Sequence, residues 1–143
     1  MLDLYRLLLH SPPVASGWLD FLTAVRQRLA LPADLRELVI IRIAILNHAP
    51  YEARQHTPIA LESGVTHAQI EALGEWDRHP ALFDDAAQAA LAYTDILTRD
   101  ARASDPVWAA LHSRFCEREC LELTVLIGAY NMVSRVLSAL ELD

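Results

Sequence analysis

Glu52 and His56 stand four residues apart in the stretch Tyr51-Glu52-Ala53-Arg54-Gln55-His56. On an α-helix that spacing puts both side chains on one face, with Cβ atoms roughly 6 Å apart and a shared hydrogen bond within reach. A carboxylate that orients an imidazole and stabilises its protonated form makes that imidazole a usable acid and base near neutral pH. Exposed pairs of this spacing are also common and contribute only ~0.3 kcal/mol to a helix, so the surroundings must decide. The pair follows the most apolar segment of the chain and is enclosed by Pro50, Tyr51, Ile59 and Leu61, which favours a half-buried site. There burial raises a carboxyl pKa and lowers an imidazole's, while their mutual attraction does the reverse. Spacing therefore gives the capacity for proton transfer but not the protonation state.

Other residues compete for attention. Arg42 is the one charge inside the run Leu38 to Leu46, and a guanidinium there needs an acceptor. A substrate carboxylate would serve, and so would an internal acid such as Glu37 or a helix end. Thr124, Gly128, Asn131 and Arg135 form a small and polar stripe on one helix face, either a packing groove or a pocket wall. The pocket-wall alternative puts Asn131 beside Tyr51 and Arg42 among the substrate-binding candidates. Cys116 and Cys120 are spaced Cys-x-x-x-Cys, and with His112 they make an i, i+4, i+8 series, as do His48, Glu52 and His56. Neither series supplies the well-placed ligands of a structural or catalytic zinc site, so no metal is expected and the thiols are read as structural.

Helices must position these residues. Four glycines in 143 residues, no Asn-Gly or Asp-Gly hairpin signal and many apolar runs at helical spacing argue for an all-α domain. A short helix is expected over Leu2 to Leu9, stopped by Pro12 and Pro13, then a second over Gly17 to Leu29 with Trp18, Phe21, Leu22, Val25 and Leu29 on one face. A third, from about Ala33 to Leu46, is apolar nearly all round and therefore central. Pro50 opens the helix that carries the acid and base pair, and Gly64 closes it. Thr66 and Gln69 have capping-box spacing for a short helix ended by Gly74, and a loop follows through Trp76, His79 and Pro80. Asp84 or Asp85 caps a helix to about Ala101, Ser104 or Asp105 opens another through Leu111, and the last runs from about Glu117 to Leu140.

Composition narrows the function. The length suits a single domain, residues 1 to 143, and apolar runs are broken before they reach membrane-spanning length, so no membrane partner is expected. The start of the chain has no leader-like pattern, which gives a cytoplasmic location as the default. All twelve basic residues are arginine and the net charge is -7, which disfavours nucleic acid. Without lysine, Schiff-base catalysis has no side-chain amine to use.

The stretch from Arg36 to Leu73, with Arg36-Glu37, the apolar helix, Tyr51-Glu52-x-x-x-His56, Ala60, Gly64-Val65-Thr66 and Ile70-Glu71-x-Leu73, resembles the carboxymuconolactone decarboxylase-like family. The last helix, with Glu119-x-x-Glu122-Leu123-x-x-x-Ile127-Gly128-x-Tyr130-Asn131-Met132, is similar to the family's closing helix. The resemblance implies a helical bundle of the alkylhydroperoxidase D-like type, assembled as a homotrimer or homohexamer with pockets near subunit contacts. Its peroxidase branch carries Cys-x-x-Cys-x-x-x-His with a glutamate nineteen residues before the histidine. His56 and Glu37 match those two positions, but Ala49 and Glu52 stand where the cysteines would be. The decarboxylase branch carries Glu-x-x-x-His, which Glu52 and His56 match. The resemblance therefore implies proton transfer beside a carbonyl, on a small carboxylated lactone or related acid, with no cofactor. It assigns His56 as proton donor, Glu52 as its orienting carboxylate and Glu37 as a relay member. A peroxidase-related antioxidant protein and a helical oligomer without catalysis are the alternatives.

Overall fold

The computed structural model describes residues 3–142. Helix α1 covers Asp3–Leu8, and Leu2, at the start of the expected span, lies outside the described residues. The next helix, α2, covers Pro12–Gln27. Pro12 and Pro13 open it rather than ending the one before, because a first-turn residue has no intrahelical use for an N–H and proline's fixed φ is already helical. Trp18, Leu22 and Val25 face the core as expected, but Phe21 remains exposed.

At the centre is α3, Ala33–Leu46, with every residue from Glu37 to Ala44 buried, the charged Glu37 and Arg42 among them. It packs against α4 (Pro50–Glu62), α6 (Asp85–Asp100) and α8 (Glu117–Ala139). The sharp link from α3 to α4 passes through His48, whose φ of 52° lies in the left-handed region. Pro50 then starts α4. Thr66 caps α5 (His67–Ala72) with the expected capping box to Gln69. The expected loop through Trp76 and Pro80 is instead two 3₁₀ turns, Leu73–Arg78 and Pro80–Leu82. The Asp84 side chain accepts from the Ala87 N–H to cap α6, and α7 covers Asp105–His112.

By composition and length α8 could cross a membrane, but 56% of its most apolar window is buried within the bundle. It packs on α2, α3, α6 and α7, as a core helix does. The described residues are all-α, with a single cluster of buried apolar side chains drawn from α1 to α8.

Candidate functional site

His56 sits on α4 one turn beyond Glu52, and the packing of α4 on α3 brings Glu37 to its other side. Nδ1 of His56 lies 2.7 Å from Glu37 Oε2, and Nε2 lies 3.1 Å from Glu52 Oε1. All three are buried: His56 is 4% exposed and each glutamate 7%. An ionised carboxylate only accepts hydrogen bonds, so an imidazole faced by one on each side is best matched when both nitrogens carry protons. Burial alone would lower the His56 pKa, but the contacts with Glu37 and Glu52 outweigh it and raise the value to about 9. Tyr130 of α8 meets the imidazole edge-on, ring centroids 5.2 Å apart. Burial pushes its hydroxyl pKa up, so the phenol stays protonated and can donate.

A cavity of about 100 Å³ opens beside the pair. Glu52, His56, Tyr51, Gln55 and Tyr130 line it on one side, and Leu4, Leu22, Ile59 and Val133 supply apolar walls. Tyr5, Trp18 and Arg26 complete the lining. Sequence reasoning did not select these three as site residues. A signal was present, since Trp18, Leu22 and Arg26 follow i, i+4, i+8 spacing and an arginine that continues an apolar stripe must point somewhere useful.

Two sequence candidates lie elsewhere. Arg42 lines a separate cleft of about 530 Å³, larger than the His56 cavity but lined by none of Glu37, Glu52 and His56. Its guanidinium is already committed: Nε and one terminal nitrogen donate to the two oxygens of Asp95 at 2.6 and 2.8 Å, and the other donates to the carbonyls of Leu73 and Gly74. Trp76 Nε1 also donates to Asp95. Arg42 therefore ties α3 to α6 and to the end of α5, and the acceptor it needed is an internal acid plus a helix end rather than a substrate. Asn131 lines a third cleft with Thr124, Gly128 and Arg135. It donates to Thr98 Oγ1 and the Ile127 carbonyl and accepts from Asn47 Nδ2, away from His56. The stripe is thus a cleft wall, and a Cβ at Gly128 would meet nothing within 4 Å.

Cys116 is exposed and Cys120 buried, and both are free thiols. Neither lines the His56 cavity. No group of three or more His, Cys, Asp or Glu side chains arranged to hold a metal occurs among the described residues.

The profile of the carboxymuconolactone decarboxylase family matches residues 12–95, more than half of the chain. The chain belongs to the carboxymuconolactone decarboxylase family. The matched span of this family member includes α2, α3 and α4, and so Glu37, Glu52 and His56. No curated protein matches the chain. Solved structures share its fold. A protein of unknown function from Agrobacterium tumefaciens, proposed as an antioxidant defence protein AhpD, superposes with a TM-score of 0.88 at 22% identity, covering 95% of this chain and 93% of that one. An uncharacterised peroxidase-related protein from Silicibacter sp. TM1040 gives 0.85 at 18% identity, over 96% of this chain and 73% of that one. A cysteine-to-alanine variant of the debrominase Bmp8, in complex with 2,3,4-tribromopyrrole, gives 0.79 at 17% identity, over 92% and 71%. At these identities the likeness is one of fold.

Proposed function

We propose that this protein is a proton-transfer enzyme of the decarboxylase type, acting on a small carboxylated lactone or related carbonyl acid. The observation that carries the reading is His56, buried between Glu37 and Glu52 at the wall of a cavity. In such a reaction the bond between the α-carbon and the carboxylate breaks, carbon dioxide leaves, and the electron pair passes into the neighbouring carbonyl to give an enolate. The enolate carbon then takes a proton. His56 is the source of that proton, Glu52 orients the ring through Nε2 and stabilises its imidazolium, and Glu37 at Nδ1 is the relay member. No organic or metal cofactor is required by these steps. The protein assembles in this reading as a homotrimer or homohexamer.

Of the structural neighbours, one is described as an antioxidant defence protein and another as peroxidase-related. Peroxide reduction needs a thiol at the site, and neither Cys116 nor Cys120 lines the cavity. A purely structural oligomer is the other alternative, and it gives no reason to bury an imidazole between two carboxylates beside a cavity. The test is a screen of carboxylated lactones, 4-carboxymuconolactone first, and small oxo acids, followed by carbon dioxide release from the lactones and 3-oxo acids and by hydrogen exchange in D₂O at the carbon beside the carbonyl, which 2-oxo acids also report. Release or exchange by the purified protein is expected. Failure of every compound in both assays would overturn the reading.

A further inference from the structure

The cavity at His56 contains more than an acid and a base. Arg26 lines it, half-buried, and no carboxylate lies within ion-pair distance of its guanidinium among the described residues. Its Nε donates to the Leu22 carbonyl and one terminal nitrogen to the Tyr5 hydroxyl, 2.8 Å away. The remaining N–H groups of the fork have no protein acceptor among the described residues. Trp18 and Tyr130 line the same cavity, and each carries a donor, the indole N–H and the hydroxyl. Both atoms are buried and neither has a hydrogen-bond partner among the described residues. Trp18 is 8% exposed and Tyr130 1%. A buried donor without an acceptor costs about 1–3 kcal/mol, so two residues with such donors on one small cavity, beside a guanidinium that no carboxylate contacts directly, favour a ligand that brings oxygen acceptors.

We infer that Arg26, Trp18 and Tyr130 form the binding site for the carboxylate end of a small oxo acid, with Arg26 as the specificity-determining residue. This rests on the proton-transfer reading and names the chemistry of its ligand. A guanidinium fork matches a carboxylate and is weakly hydrated, so it gives up water readily in a half-buried site. Tyr5 accepts from Arg26 and holds the fork against the cavity. The volume of about 100 Å³ sets an upper size. A cavity of about 150 Å³ accommodates benzene with its six heavy atoms, so about four heavy atoms, a carboxylate and the carbon that bears it, enter here and the rest of the ligand stays outside. The Leu4, Leu22 and Val133 walls leave the apolar part of such a ligand in contact with carbon.

The experiment is a titration of the ¹⁵N-labelled full chain with pyruvate, following the indole N–H signals of its three tryptophans. A saturable shift of the Trp18 signal is expected, with Trp76 and Trp108 unmoved, since neither lines this cavity. Arg26→Gln should weaken binding about tenfold or more, Arg26→Lys should recover part of the loss, and the neutral analogue pyruvamide should bind about tenfold or more weakly to the wild type. Binding with these dependences supports the carboxylate site even if the substrate screen finds no turnover, in which case only the proton-transfer reading fails. No saturable shift at Trp18, equal affinity in Arg26→Gln, or equal affinity for pyruvamide would overturn the site whatever the screen shows.

Discussion

A histidine held between two acids is a different group from a histidine beside one. The i, i+4 spacing made Glu52 and His56 legible as a pair, because helix geometry alone places them on one face. Glu37 was reached only through its separation of nineteen residues in the family resemblance, since no local rule tells which acid on α3 meets α4. The protonation state needed the fold, because it depends on which effect wins, and here two buried carboxylates outweigh desolvation. The His56 imidazole should therefore titrate with a midpoint near 9 in a ¹H–¹⁵N spectrum, and Glu37→Gln should lower that midpoint. The stability effect has a definite sign. The folded pKa of about 9 lies above the ordinary value of 6.5, so the contribution is complete below 6.5 and is lost as pH rises through about 9. Thermal or urea unfolding should show a decline of about 3 kcal/mol over that interval. His56→Gln should remove the decline, and a wild type of unchanged stability across it would contradict the protonated imidazole.

Helix ends were legible where a side chain does the capping. Thr66 with Gln69 and Asp84 are examples, because their hydrogen bonds are local. Pro12 and Pro13 misled, since a proline can follow the end of one helix or open the first turn of the next, and here they open α2. Arg42 misled for a related reason. The chemistry demanded an acceptor, but Asp95 lies fifty-three residues away on another helix and nothing local announces it. Removing the guanidinium takes a bidentate partner from Asp95, which is only partly buried and keeps Trp76 and Arg99 beside it, so Arg42→Met should cost about 2–3 kcal/mol in urea denaturation. The activity of the fraction that remains folded should stay near wild type. A catalytic loss well beyond the loss of folded protein would return Arg42 to the site.

Across the whole molecule, apolar surface remains uncovered. On α8, Leu121, Val125 and Met132 are 64%, 36% and 38% exposed and share one face at spacings of four and seven. Their exposure beside the Gly128 cleft fits a surface that another copy of the chain covers. Sedimentation at micromolar concentration should show an oligomer, and Leu121→Glu should shift the distribution towards smaller species without loss of helicity. A wild-type monomer at every concentration would sink the assembly. The small size of the chain and its 53% apolar content suggest association from the sequence, but which helix face would carry it is a property of the folded surface.

The central claim is that His56 supplies the proton, and the most direct measurement is the turnover of His56→Gln against wild type on whichever acid or lactone the screen identifies. Glutamine keeps size and polarity but cannot carry a proton near neutral pH, so kcat should fall by roughly 10² to 10⁴ while ligand binding persists. Glu52→Gln, measured alongside, should lose less and shift the pH profile, because its amide no longer stabilises the imidazolium. A folded His56→Gln protein that turns substrate over at the wild-type rate would contradict the mechanism and leave the buried histidine a purely structural link between α3 and α4.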